Sequence, residues 1–462
     1  MTTHAGRIGA VVGYSGGAAS HLFPCEAPNP ALQAGPPRGC KKTWSGPAFL
    51  VSLRNRTRQP GIRAFATIGG IEAVVRGIAL SIYPLLMYRA WGDAAAVSQL
   101  YFGVGVLSLL TGLAVPLVTR HVPRRFVYSS GALLFVIAAG LGMVGGKLTA
   151  LALLCHVMGT ATVFVCFNAY VLDNVPKAEF GRLESLRLLF GGFGWTVGPV
   201  LGVWLLRYWT GAPFVIVGLA AISMLGAFWW LGVAHGRVTA VYATRNGAPH
   251  PLAYLRRFAA QPRLIAGWLF PVLRSCGWWI YTVYVGIYAV QNGLGDQVGG
   301  MASSLANMGL FMAPLMLRWM QRRSVRAAVR TGFLFSGACF VLAATVSTMP
   351  WATIAVLVVA SYFLVLLDVC AGLPFLMAVK PSQRTEMSAV YSSFRDVSGI
   401  LTPGIAWLVL QFFPLAAVFA AGGVTLLIAW AIAGRLHPAL GVPGADRTRS
   451  RTDTAVPLNQ RS

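Results

Sequence analysis

Four ionisable residues lie inside stretches that are otherwise apolar. Glu72 and Arg76 fall in Ile68-Gly-Gly-Ile-Glu72-Ala-Val-Val-Arg76-Gly-Ile-Ala-Leu-Ser-Ile-Tyr83; Arg274 and Asp368 lie in two later runs. The first run extends from Arg63 to about Met87, and a bilayer crossing takes roughly 20 residues. At about 1.5 Å per helical residue, Glu72 sits roughly 13 Å and Arg76 roughly 20 Å beyond Arg63, well inside a hydrocarbon layer. A charge there costs on the order of 2.5–3.5 kcal/mol, so such residues face a bundle interior or an aqueous cavity. Two chemistries fit these residue types. In a low dielectric the charged carboxylate is disfavoured, while a guanidinium one helical turn away favours it. Substrate binding can tip that balance, which makes Glu72 the first proton-carrier candidate and Arg76 its tuner. Asp368, in Leu366-Leu-Asp368-Val-Cys-Ala-Gly372-Leu-Pro374, is the second; it can equally partner Arg274 or a backbone group freed near Pro374. The other chemistry is anion binding. Arg274 follows Arg263 by about the distance at which Arg76 follows Arg63. Two guanidiniums facing one cavity form a fork for a carboxylate or phosphate. The plain alternative is packing: snorkelling arginines, or Arg76 neutralised by Glu72.

The elements that must position these residues are membrane helices. The chain has 462 residues, 56% of them hydrophobic and 11% charged, with a mean hydropathy of +0.66. Soluble domains carry about 25% charged residues. Apolar spans recur at about 64–87, 95–118, 126–146, 149–172, 186–206, 213–235, 264–290, 297–317, 326–347, 351–375, 388–411 and 413–434. They predict an all-α polytopic membrane protein of about twelve helices. The net charge of +25 sits in short Arg-rich clusters between spans, a pattern of headgroup contact that argues against nucleic-acid binding. Arg120, Arg124, Arg125, then Lys177, Arg182, Arg187, then Arg318, Arg322, Arg323 and Lys380, Arg384, Arg395 occupy alternate loops; the opposite loops offer Arg89, Lys147 and Arg207. This asymmetry places both termini in the cytoplasm. Residues 1–61 read as a disordered cytoplasmic tail, 62–235 as a six-helix bundle, 236–262 as a central cytoplasmic loop, 263–437 as a second bundle and 438–462 as a cytoplasmic tail. The seven cysteines form no C-x-x-C and read as small core residues. No metal spacing, phosphate loop or nucleophile–base pair stands out, so no enzyme is expected.

The halves repeat. Pro116-Leu-Val-Thr-Arg120-His-Val-Pro-Arg124-Arg125 and Pro314-Leu-Met-Leu-Arg318-Trp-Met-Gln-Arg322-Arg323 both read P-L-x-x-R-x-x-x-R-R after the second span of a half. Gly92-Asp93 follows the first span and Gly295-Asp296 the seventh. Internal repeats put transporter sites at the repeat interface near the midplane.

With these features the chain resembles a major facilitator superfamily transporter over roughly residues 62–437. Gly194-Trp-Thr-Val-Gly198-Pro199-Val-Leu-Gly202 on the fifth span is similar to that family's antiporter motif, G-x-x-x-G-P-x-x-G. Its glycines let neighbouring helices approach, and its proline bends the helix. Asp173-Asn-Val-Pro176 and Lys380-Pro381-Ser-Gln-Arg384 resemble the family's paired loops. The resemblance implies two six-helix bundles related by a pseudo-two-fold axis along the membrane normal, a small-molecule substrate, alternating access, and a monomer in a bacterial inner membrane. The chain departs from the signature G-x-L-a-D-r-x-G-r-k: Pro116, Arg120 and Pro123 replace its first Gly, its Asp and its second Gly, and only Arg124-Arg125 survive. Asp173 can pair with Arg124 or Arg125 instead and close the cytoplasmic ends, with Arg322 and Arg323 as the second half's gating counterparts. The family's intramembrane arginine of helix four is replaced by Cys155, beside His156, which leaves Arg76 as the likeliest substitute. Related organophosphate exchangers use an arginine from each of the first and seventh helices, which matches Arg76 and Arg274.

Asn168 and Tyr170 in span four, Trp278 and Tyr281 in span seven and Asn307 in span eight are candidate pocket residues, with packing or an interfacial belt as the alternative. Arg395-Asp396 and Glu184/Arg187 read as gate or boundary charges. Three functions follow: proton-coupled export of a small organic molecule, with the proton as coupling ion and no cofactor; exchange of an organic anion or phosphate ester held by Arg76 and Arg274; or a non-transporting receptor or assembly factor on a transporter scaffold.

Overall fold

A computed structural model describes residues 60–176, 179–235, 258–379, 391 and 393–436. The expectations for both tails, most of the central loop, Lys177 and Lys380 to Arg384 lie outside the described residues, as does the side chain of Glu184.

The chain is helical throughout these segments. The first half contains α1 (Ile62–Trp91), α2 (Ala94–Val118), α3 (Arg124–Val144), α4 (Leu148–Asn174), α5 (Phe180–Leu205) and α6 (Ala212–Trp230). The second contains α7 (Pro262–Gln291), α8 (Asp296–Arg323, with a 3₁₀ turn at Gly309–Met312), α9 (Val325–Thr345), α10 (Pro350–Cys370), α11 (Phe394–Leu410) and α12 (Ala416–Ala433). Among the described residues, nine of these are long and apolar enough to cross a membrane. The remaining three match the other expected spans. The apolar part of α5 is Leu189–Leu205, 17 residues; α11 also has 17 residues; α7 has 30, its hydropathy lowered by three tryptophans, three tyrosines and Arg274.

Local chemistry sets the helix ends. Gly92 closes α1 in the left-handed region (φ 67°), where a side chain is disfavoured, and its N–H donates to Tyr88 O. Asp93 then caps α2, accepting from the N–H groups of Ala95 and Ala96 at 3.0 and 3.1 Å. At the equivalent turn Gly295 is also left-handed (φ 84°), but Asp296 is the first residue of α8 and pairs with Arg89.

Packing repeats between halves. In the first, α1 packs on α5 and α6, α3 on α4 and α6, and α2 on α4; in the second, α7 packs on α11 and α12, α9 on α10 and α12, and α8 on α10. Between the halves, α2 meets α11, α5 meets α8, and α1 meets α7. Adding six to each helix number turns the first set into the second and exchanges the first two cross-contacts, as a two-fold relation requires. Leu107, Leu110, Leu113 and Leu117 form an exposed stripe on α2. Such a stripe is a liability in water and is at home against lipid.

Candidate functional site

The α1–α5 contact builds the first part of the site. A Cβ on Gly194 would lie 2.7 Å from Ala73 C and Val74 N, and one on Gly198 2.7 Å from Gly77 C. The two backbones therefore touch along the glycine motif, and Gly202 continues the contact against Ile82. Pro199 lies within α5, and its carbonyl accepts a hydrogen bond from Ser81 Oγ of α1 at 2.9 Å. This packing buries Glu72 and brings Trp195 of α5 over Arg76, whose guanidinium carbon is 5.0 Å from the ring centroid. Arg76 Nη1 approaches Glu72 Oε1 at 3.4 Å, with the Arg76 side chain 22% exposed and that of Glu72 8%. The pair is real but loose, since charge-assisted contacts of good geometry lie near 2.7–2.9 Å. His156 of α4 is buried between Tyr83 and Phe135 (centroids 5.3 and 5.0 Å), its Nδ1 lacks a partner, and it is within electrostatic reach of Arg76.

The second half holds its acid more firmly. Arg274 Nε lies 3.2 Å from Asp368 Oδ1, with both side chains under a tenth exposed. The Nε–H is not aligned for a hydrogen bond, so this contact is Coulombic. Trp278 Nε1 donates to Asp368 Oδ2 at 3.1 Å. Arg274 also stacks on Phe394 of α11 at 5.2 Å, and Ser398 ties α11 to α7 by donating to Ser275 Oγ at 2.7 Å. Arg76 and Arg274 thus each face an acid of their own half.

Several expected site residues are placed elsewhere. Tyr281 is buried and its hydroxyl donates to Ala302 O at 2.7 Å; Asn307 is 2% exposed. The Tyr281 hydroxyl thus ties α7 to α8. Tyr170 is fully buried against Phe228 and beneath Arg124. Asn168 is half-buried on α4. Residue type marks polarity, but the face of a helix that meets its neighbours decides what a polar group touches.

The gate expectation changes in the same way. Arg124 Nη1 binds Asp173 Oδ2 at 2.6 Å. Both belong to the first half, so the bond ties α3 to α4 and does not bridge the halves. Arg125 instead lies over Phe126 at 5.0 Å. Arg322 and Arg323 are exposed at the end of α8, and no ion pair to either occurs among the described residues.

Among the described residues, several polar links join the halves toward the α1–α2 and α7–α8 turns. Arg89 pairs with Asp296. The hydroxyls of Ser98 and Tyr284 meet at 2.7 Å, Gln297 Nε2 donates to Val203 O at 3.0 Å, and Val200 N donates to Ser304 Oγ at 3.1 Å. Only the repeated Gly-Asp turns hinted at this cluster in the sequence.

Arg395, read from sequence as a boundary charge, lies at the centre. Its guanidinium stacks on Phe164 of α4, in the opposite half, at 4.8 Å, and on Phe394 at 5.9 Å. It is within electrostatic reach of Arg76, Glu72 and Arg274.

Two packed six-helix sets, with a buried acid–base pair in each, are the architecture of a membrane transporter. The Major Facilitator Superfamily model matches residues 65–403, and the chain belongs to that family. Among solved structures, the chain is similar to the nucleoside transporter NupG, with 13% identity over 81% of this chain and 99% of that one and a TM-score of 0.62. It is also similar to a bacterial homologue of the iron transporter ferroportin in an inward-facing state, with 12% identity, 82% and 98% coverage and a TM-score of 0.60. A POT family transporter in complex with 5-aminolevulinic acid gives 12% identity, 81% and 96% coverage and a TM-score of 0.62. At such identities these likenesses speak for the fold. Comparison with curated protein sequences returns no match.

Proposed function

We propose that the chain is a proton-coupled secondary transporter that exports a small organic molecule across a bacterial inner membrane, with both termini cytoplasmic and no cofactor. In that orientation the Arg89–Asp296 side faces outward. The observation that carries the coupling is the contrast between the two buried acids. Asp368 is held by Trp278 and Arg274 together, whereas the ion-pair contact of Glu72 is one 3.4 Å approach from Arg76. Arg76 is partly exposed and held by Trp195, so a solute entering the site can draw it away. Glu72 then changes its protonation, and re-pairing restores the starting state. Asp368 serves as the structural partner of Arg274.

The reading is tested in proteoliposomes under an imposed pH gradient. Gradient-driven uptake or efflux of a substrate is expected for the wild type and is lost in Glu72→Gln. Transport that ignores the gradient would overturn proton coupling; full gradient-driven transport by Glu72→Gln would overturn only the role of Glu72.

A further inference from the structure

We propose that the transported molecule is a monoanionic organic acid with an apolar or aromatic body, and that its carboxylate is anchored by Arg395. The proposal rests on the transport reading above and names the substrate class for the same central site.

The argument begins with a count of charges. Arg395 of α11 lies within electrostatic reach of two other guanidiniums, Arg76 of α1 and Arg274 of α7. Glu72 compensates the first and Asp368 the second. Among the described residues no carboxylate lies within ion-pair distance of Arg395. Its Nε is shielded from solvent and has no hydrogen-bond partner. The adjacent Asp396, in the first turn of α11, acts on Arg395 at a distance and not as an ion pair. A guanidinium without a partner at membrane depth is costly. A singly charged, planar carboxylate matches one guanidinium, which favours it over a dianionic phosphate ester.

The rings set the geometry. Arg76, Arg274 and Arg395 each carry an aromatic ring against the guanidinium: Trp195, Phe394 and Phe164. A guanidinium stacked this way is held by its face while its N–H edge stays free in the plane. For Arg76 and Arg274 that edge is turned to an acid of the same half. For Arg395 no carboxylate among the described residues is within ion-pair distance of it, and a planar carboxylate accepts two parallel N–H bonds there. Phe164, Trp195 and Phe394 offer apolar surface to the remainder of the molecule. Because Arg395 belongs to the second half and Phe164 to the first, an anion on Arg395 lies at the junction whose geometry changes when the halves rock.

The test is thermal unfolding of the full chain in detergent or nanodiscs at constant ionic strength. Probes are benzoate and hexanoate, their neutral amides benzamide and hexanamide, and phenyl phosphate. A ligand that binds only the folded state raises the melting temperature in a concentration-dependent way. The expected result is stabilisation by at least one carboxylate, little by its amide, and less by phenyl phosphate. Arg395→Gln should abolish the carboxylate effect, and Arg395→Lys, which keeps the charge and loses the fork, should weaken it about tenfold or more. Equal stabilisation by acid and amide, no stabilisation by either carboxylate, a stronger effect of phenyl phosphate, or a carboxylate effect that survives in Arg395→Gln would each overturn the proposal. Should Arg395→Gln misfold, the wild-type ranking of acid against amide and the Arg395→Lys protein still decide. Binding is read at equilibrium without a gradient, so failure of proton coupling leaves this outcome untouched, and the converse holds.

Discussion

At the scale of single residues, the buried acids are distinguished by their partners. Asp368 compensates a guanidinium whose side chain is 7% exposed. Asp368→Asn leaves Arg274 charged and unpaired, and removal of one partner of a buried pair costs about 3–5 kcal/mol. A marked fall in the melting temperature is the expected outcome, and the double replacement Arg274→Met with Asp368→Leu should recover much of it, because an apolar pair of similar volume removes both desolvation costs. Glu72→Gln should leave stability nearly unchanged and remove coupling, since Arg76 keeps Trp195 and partial exposure to water. Much of this was legible beforehand. Two charges four residues apart in an apolar run form a pair on any helix, and Arg274 with Asp368 was one of the readings open. Arg395 was not legible, because hydropathy places it near a helix start and says nothing of depth or of the ring it meets. The burial of Tyr281 and Asn307 was not legible for the matching reason: polar type marks a residue without saying which face of its helix it occupies.

At the scale of helices, the glycine motif of α5 is an interface with α1. Gly194→Ala places a methyl group 2.7 Å from backbone atoms of Ala73 and Val74, which cannot turn aside as a side chain would. The helices must part, at about 1–3 kcal/mol, and the part of α1 that carries Glu72 and Arg76 moves with them. The expected outcome is a lower melting temperature together with weaker transport. Gly226→Ala on α6 is the control: nothing lies within 4 Å of the added atom, and stability should hold or rise slightly. The motif could be read from the sequence, but its partner helix could not, because G-x-x-x-G states closeness without naming a neighbour.

At the scale of the whole molecule, a set of polar links joins the halves near the Arg89–Asp296 pair, and one glycine tests them. Gly300 of α8 sits against Pro199 O and Val203 of α5, with 2.9 and 3.0 Å left for a Cβ. Gly300→Val should disfavour closure there and shift the population toward opening on the Arg89–Asp296 side; about 1.4 kcal/mol is a tenfold change. Thiol labelling of Ser98→Cys in that background should rise relative to Ser98→Cys alone, and unchanged labelling would contradict the reading of this cluster as a gate. The two-fold plan was legible in the repeated P-L-x-x-R-x-x-x-R-R, whereas the side that closes depends on contacts between residues some two hundred positions apart. The distribution of charge pairs has a further consequence, for how the protein is made. Glu72 with Arg76 and Arg124 with Asp173 are settled within the half that emerges first from the ribosome, and Arg274 with Asp368 within the half that follows. Each half can therefore enter the bilayer with those charges already matched, as domain-by-domain folding during synthesis requires. Arg89 with Asp296 joins the two halves, and Arg395 rests on Phe164 of the earlier half. These contacts mark the moment when two inserted halves become one protein.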